Sequence, residues 1–232
     1  MDYIRPAVNR GRANFGWLDS RHTFSFGHYY DPKHMGLSAL RVINDDQVRG
    51  GAGFDTHGHR DMEIISYVLE GALEHKDSTG NQFTIPAGDV QLMSAGSGIM
   101  HSEFNASKTD PVHFLQIWIQ PNVRGTEPGY QQARIEQKGP LTPLVTPDGR
   151  DGTLSMHQDA SLSRLILEAN EQLTLEVGER SGYLHIISGQ AKVQAQTFAA
   201  GDGIGITKSR QISLQAGTDG LHALWFDLPT VS

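Results

Sequence analysis

Apolar residues in this chain alternate with polar ones over runs of roughly five to eight positions, and glycine or proline cuts almost every run. Period two marks a half-buried strand, whereas an amphipathic helix needs a stripe at period 3.6 sustained over three turns or more. No stretch sustains that stripe, so the chain is read as all-β. Strands are expected over 37–44, 64–71, 72–77, 90–93, 100–103 and 112–119. Turns are expected at Ser78-Thr79-Gly80-Asn81, Pro86-Ala87-Gly88-Asp89 and Gly96-Ser97-Gly98. One short helix is expected around 130–134. Residues 121–160, rich in Pro, Gly, Thr and Asp, read as a connector with a few strands of its own.

The second half of the chain echoes the first. Tyr67-Val68-Leu69-Glu70-Gly71 matches His185-Ile186-Ile187-Ser188-Gly189, and Pro86-Ala87-Gly88-Asp89 matches Ala199-Ala200-Gly201-Asp202. Leu115-Gln116-Ile117-Trp118 resembles Ala223-Leu224-Trp225-Phe226. The 232 residues therefore divide into two related β-domains, 1–125 and 126–232.

The chemistry gathers in the first copy. His57 and His59 stand two apart, as do His101 and Glu103. On a strand, side chains two apart share a face, so two such strands can bring three imidazoles and a carboxylate to one spot. With eleven histidines in the chain, a single His-x-His pair is weak. The second copy strengthens it. Counted from the shared glycines, His57, His59, His101 and Glu103 fall on Leu175, Val177, Leu214 and Ala216. All four polar positions become apolar together, as they would if only the first copy kept a metal site.

Glu63 is the rival carboxylate. On a straight strand it lies ~13 Å beyond His59, so Glu103 is preferred and Glu63 is expected as a surface or supporting charge near Arg60. His22, His28 and His34 have no i, i+2 partner and are expected as hydrogen-bonded or surface histidines. The aromatics of residues 12–30 are expected to pack in the core, with a pocket wall as the alternative. Gln116 and Trp118 are candidates to support the site, although parity alone does not give their face. A Ser-His-Glu hydrolase is disfavoured, because Ser102 adjoins His101 and strand neighbours face opposite sides.

Composition excludes several function classes. There is no Cys, so any metal is held by nitrogen and oxygen and no disulfide forms. A formal net charge of -7 argues against direct nucleic-acid binding. No apolar run approaches the ~20 residues of a membrane span, and Met1-Asp2-Tyr3-Ile4-Arg5 lacks the build of a signal peptide. A cytoplasmic address is expected.

Gly51-x5-His57-x-His59-x3-Glu63 followed by Gly71 resembles the first motif of the cupin superfamily, and Gly80-x5-Pro86-x-Gly88 the start of the second. Within cupins, Met93-x-Ala95-Gly96-x-Gly98-Ile99-x-His101-Ser102-Glu103 and Leu115-Gln116-Ile117-Trp118 resemble the pirin family, and Gly16-Trp17-Leu18-Asp19-Ser20-Arg21-His22 its bacterial branch. Gln91 stands where many cupins place a His ligand, and Gly58 where the family often has Pro. The resemblance implies a bicupin: two antiparallel, jelly-roll-like β-barrel domains with few short helices and metal only in the N-terminal one. It implies His57, His59, His101 and Glu103 as ligands of one divalent transition metal, iron first, with zinc, nickel, cobalt, manganese or copper as alternatives. The implied activity is that of a quercetin 2,3-dioxygenase: O2-dependent opening of a flavonol ring with release of carbon monoxide, Glu103 taking the 3-hydroxyl proton. Partners are then a small aromatic substrate and O2. The alternative, also implied by the family, is a non-enzymatic metal-binding regulator of a transcription or metabolic protein partner.

Overall fold

The computed structural model describes residues 1–230. The alternation read from the sequence becomes strand after strand with one face buried. Leu18–His22 and Ile99–Asn105 bury every second residue, whereas Glu63–Glu70 and Asp89–Ser94 are buried on both faces. Helical structure among the described residues is limited to two single turns, Ala7–Asn9 and Arg150–Gly152. Among the described residues, no helix is long and apolar enough to cross a membrane.

The first half is a sandwich. Its larger sheet has seven strands in the order Gly129–Arg134, Asp89–Ser94, Glu63–Glu70, Val112–Ile119, Leu40–Val48, Leu18–His22, Gly11–Asn14. Its smaller sheet has four, in the order Gly53–His59, Ile99–Asn105, Ala72–Asp77, Gln82–Pro86. Leu73 and Ile85 of the small sheet pack on Val48, Val68, Val112 and Phe114 of the large one. Because seven strands face four, the last strands of the large sheet overhang.

The second half is one nine-stranded sheet built on two long strands, Ser181–Val193 and Gln211–Leu228. Register shifts between Ile186 and Ser188 and between Gly189 and Ala191 interrupt their pairing, as bulges do where a sheet bends. Leu175, Val177, Leu214 and Ala216, the counterparts of the four polar positions, are buried together in its apolar core. The outer face of the seven-stranded sheet (Ile43, Leu115, Ile117) packs on Leu162, Tyr183 and Phe226 of the nine-stranded one.

The sheets are open at their edges, in keeping with the jelly-roll-like form expected of the two units. One sequence expectation changes. Residues 130–134 are not a helix: Gly129–Arg134 pairs with Asp89–Ser94 along an open sheet edge. So short a helix would be marginal without packing, and the edge offers a full ladder of hydrogen bonds. Two strands pair across the line between residues 125 and 126. Gly129–Arg134 joins the first sandwich, and Tyr3–Arg5 pairs with Gly203–Ile206 in the nine-stranded sheet.

Candidate metal centre

Strand register assembles the site. His101 lies directly opposite His57, and Ile99 opposite His59, on adjacent strands of the small sheet. A register shift between His101 and Glu103 follows, where the backbone of Gly53 presses on that of Glu103 and Phe104. Strand parity thus aims His57, His59, His101 and Glu103 into the sandwich. His59 Nε2 is 3.0 Å from His101 Nε2, which is 3.1 Å from His57 Nε2. His57 Nδ1–H donates to the Asp55 carbonyl at 2.7 Å, leaving Nε2 as its lone-pair nitrogen. Burial, then His101 and His57, holds His59 down to about 4. Burial, then His57 and His75, holds His101 down to about 3. Both rings are therefore neutral near pH 7, which is the ligand form of imidazole.

The donor set fits a divalent transition metal. Two nitrogens each about 2.1 Å from one ion, at right angles to one another, are about 3.0 Å apart. That is the spacing the imidazoles show. With His57 already proton-free at Nε2, three nitrogens crowd one point where protons cannot satisfy them all.

Glu103 is buried beside them and held from the opposite sheet. Ser66 Oγ–H and Gln91 Nε2–H donate to Oε1 at 3.0 and 2.9 Å, and Gln116 Nε2–H donates to Oε2 at 2.6 Å. Gln116, named from the sequence, thus reaches the carboxylate. Trp118, two residues on, meets the His59 ring edge-on at 5.0 Å. Gln91, which stands where many cupins place a His ligand, here reaches the carboxylate as a donor, and Ser66 is the one partner without a mark in the sequence, since a contact between facing sheets leaves none in spacing.

His75 escaped the sequence reading too, although it had a signal. His75-x-Asp77 repeats the His-x-carboxylate spacing on the next strand, with His101 opposite Asp77 and Glu103 opposite His75. His75 is fully buried, 5.4 Å from the His101 ring, with Nε2 2.8 Å from Asp77 Oδ2. Burial works to raise the Asp77 carboxyl, yet hydrogen bonds from His75, Thr79 and Asn81 hold it well below the usual range. His75, His101 and Glu103 form a second group with ligand atoms close together, overlapping the first.

Glu63 is neither on the surface nor beside Arg60. It is 1% exposed, accepts from Ser94 Oγ at 2.8 Å, and faces His157 Nδ1 at 3.3 Å. The Gly53–His59 strand ends at His59, the chain turns at Asp61 (φ 49°), and Glu63 opens a strand of the seven-stranded sheet, where its carboxylate is engaged by Ser94 and His157.

The histidines line a cavity of about 760 Å³ between the Gly53–His59 strand and the overhanging end of the large sheet. Phe15, Trp17, Phe26, Tyr29 and Phe54 supply much of its wall. The expectation of core packing for residues 12–30 therefore holds for Phe24, which is 1% exposed, and fails for the others. Among the histidines there, His34 bonds Tyr3 Oη at 2.7 Å and His28 is exposed, as expected. His22 is buried in the cavity wall, and its Nδ1 has no partner in the protein.

Comparison with known proteins now has a geometry to meet. The Pirin family profile matches residues 5–119, and that of the quercetinase C-terminal cupin domain matches 143–228. A protein named quercetin 2,3-dioxygenase from Escherichia coli (strain K12) is 48% identical over 232 residues, covering 100% of both chains. The chain belongs to the pirin family. This pirin superposes on the crystal structure of YhhW from Escherichia coli with a TM-score of 0.96 at 47% identity, covering 99% of this chain and 98% of that one. The structure of bacterial pirin YhhW in complex with nickel(II) matches at a TM-score of 0.94 and 48% identity, covering 99% of each chain.

Proposed function

We propose that this pirin is a metal-dependent dioxygenase that cleaves quercetin-like flavonols with O2, opening the ring and releasing carbon monoxide. One observation carries the reading. Three imidazole Nε2 atoms converge beside a buried carboxylate at a cavity walled by aromatic rings, in a chain 48% identical from end to end to a protein named quercetin 2,3-dioxygenase. His57, His59, His101 and Glu103 are assigned as the ligands of one divalent metal. Iron comes first, and nickel is supported by the complex of the bacterial relative. When bound, the metal supplies a Lewis acid with open positions.

The residues around it do the rest. The aromatic wall receives a flat substrate and keeps bulk water from its face. Glu103 accepts the proton of the flavonol 3-hydroxyl. Ser66, Gln91 and Gln116 fix the carboxylate through neutral donors, which leave it free of a neutralising cation. The reading places the site in an N-terminal unit of residues 1–125, with 126–232 as its metal-free counterpart, and gives the protein a cytoplasmic address.

The test begins with anaerobically purified, metal-analysed protein mixed with quercetin and O2, while flavonol absorbance and carbon monoxide are followed. Wild type is compared with Glu103→Ala and His59→Ala. Metal-dependent loss of quercetin with carbon monoxide released, abolished in both variants, is expected. A fully loaded wild type that leaves quercetin intact with each of the six metals overturns the proposal.

A further inference from the structure

The cavity holds a second polar feature, written in the register of the large sheet. Across five neighbouring strands His22 lies opposite Asn44, Asn44 opposite Gln116, Gln116 opposite Ser66, and Ser66 opposite Gln91. One polar row therefore crosses an inner face that is otherwise largely apolar. Its three members Gln116, Ser66 and Gln91 are engaged with Glu103. The other end, His22 and Asn44, is not. Beside it stands the pair Ser20 and Asp46, also directly opposite one another.

These four side chains line the cavity and are nearly inaccessible: Ser20 1%, His22 5%, Asn44 2% and Asp46 3% exposed. Among the described residues, each has a polar atom without a hydrogen-bond partner of good geometry, namely Ser20 Oγ, His22 Nδ1, Asn44 Oδ1 and Asp46 Oδ1, although Ser20 stands close enough to Asp46 to lower its carboxyl. Buried polar groups are normally paired, so four unpaired atoms at one wall call for a ligand that pairs them. A hydroxyl, an imidazole and an amide can each donate and accept. Phenolic hydroxyls do both as well. The facing wall is aromatic, and Phe26 meets the His22 ring edge-on at 5.3 Å, which suits a flat ring carrying those hydroxyls.

We propose that Ser20, His22, Asn44 and Asp46 form a hydroxyl-recognition subsite, which selects polyhydroxylated flavonols over analogues whose rings carry no further hydroxyls. The proposal rests on the flavonol reading of the same cavity. Burial independently pushes the Asp46 carboxyl up to about 7, so it can hold a proton and donate near neutral pH.

Binding can be read without turnover. Trp17 and Trp118 line the cavity, whereas Trp225 is buried in the second unit, so ligand entry quenches two of the three tryptophans. The metal-loaded protein is titrated anaerobically with quercetin and with 3-hydroxyflavone. These share the 3-hydroxyl and 4-keto groups and differ only in ring hydroxyls. Wild type is expected to bind quercetin about tenfold more tightly, a ratio that hydrogen bonds of ordinary net strength supply. In Ser20→Ala and Asn44→Leu the ratio should fall to about twofold, while Asp46→Asn, which can still pair, should keep most of it. A merely structural defect weakens both ligands alike and leaves the ratio unmoved. An unchanged ratio in folded variants, or equal binding by wild type, overturns the subsite even if quercetin is turned over. A preference for quercetin that these variants erase, without any turnover, supports the subsite and sinks the dioxygenase reading. Failure of both flavonols to bind overturns both.

Discussion

Glu103 is a carboxylate taken out of water and held by three uncharged donors, Ser66, Gln91 and Gln116, all from the opposite sheet. Oε1 has two donors, Ser66 and Gln91, but Oε2 has only Gln116, so removing Gln116 leaves a buried oxygen unpaired. That loss typically costs about 1–3 kcal/mol. Gln116→Leu, which strips Oε2, is expected to leave the fold intact and to weaken nickel or zinc binding by roughly 10–100-fold, the usual effect of losing a partner behind a ligand. Calorimetric titration at pH 7 measures it, and an unchanged affinity would detach Gln116 from the centre. Asp46 is the opposite case, a buried acid without a strong donor. Burial raises it to about 7, while Ser20 beside it pulls the other way without closing a hydrogen bond. A carboxyl raised in the folded state binds more protons folded than unfolded between about pH 4 and 7, so it destabilises increasingly as pH rises through that window. Asp46→Asn should therefore gain stability over wild type at pH 8, on the order of 2–4 kcal/mol at most, and lose the advantage below about pH 4. Urea unfolding at both pH values checks this, and a difference that does not change with pH would refute it.

At the scale of strands, the centre depends on how closely Gly53–His59 lies against Ile99–Asn105. A Cβ on Gly53 would sit 2.5 Å from both the Glu103 carbonyl oxygen and the Phe104 Cα, next to the register shift between the two strands. Backbone atoms give way poorly, so Gly53→Ala is expected to cost about 1–3 kcal/mol and to lower metal content with it. Thermal unfolding and metal analysis on the same samples test the pair of effects. A full metal complement in a destabilised variant would separate Glu103 from this contact. The same strands show what a sequence can reveal. His57, His59, His101 and Glu103 were legible because strand parity is local: spacing of two fixes a common face whatever the partner strand. His75-x-Asp77 obeys the same rule and was there to be read. Ser66 was not, because its contact with Glu103 depends on which sheets face each other, and Gln91 was marked only as the residue at a cupin ligand position. Gly129–Arg134 is a strand where a helix is expected over 130–134, because an open sheet edge, invisible in so short a stretch, decides its state. The aromatics of residues 12–30 follow the same logic: their alternation gives a buried face, but only the mismatch of seven strands over four turns that face into a cavity wall.

Over the whole molecule, acid should undo the fold through histidines buried without charge. Burial, then Arg10, holds His185 and His22 down to about 4, and burial, then Arg164, does the same to His222. His59 and His101 add to the count when no metal holds them. In each, the folded value lies below the 6.5 of the free side chain, so between about pH 6.5 and 4 the unfolded chain binds more protons. Stability then falls as pH falls through that window and levels off below it. Asp46 acts the other way over about pH 7 to 4, regaining stability as it takes up its proton. One carboxyl opposes at least three imidazoles with shifts of similar size, so the histidines decide the sign. Metal deepens the slope, because a ligand that binds only neutral imidazoles stabilises the folded state less as protons compete. Urea unfolding of metal-stripped protein from pH 8 to 4 should show a monotonic loss below about pH 6.5. Replacing fully buried His185 by Gln removes one titrating group and should make that decline shallower, by on the order of 3 kcal/mol at full extent. The Arg10–Asp45 ion pair and the Asp45–His113 contact, both within the first unit, do not involve His185 and remain in the variant. An equally steep decline in His185→Gln would move the source of acid lability to the paired carboxylates, of which Asp45, held down to about 2, would then be the first to replace.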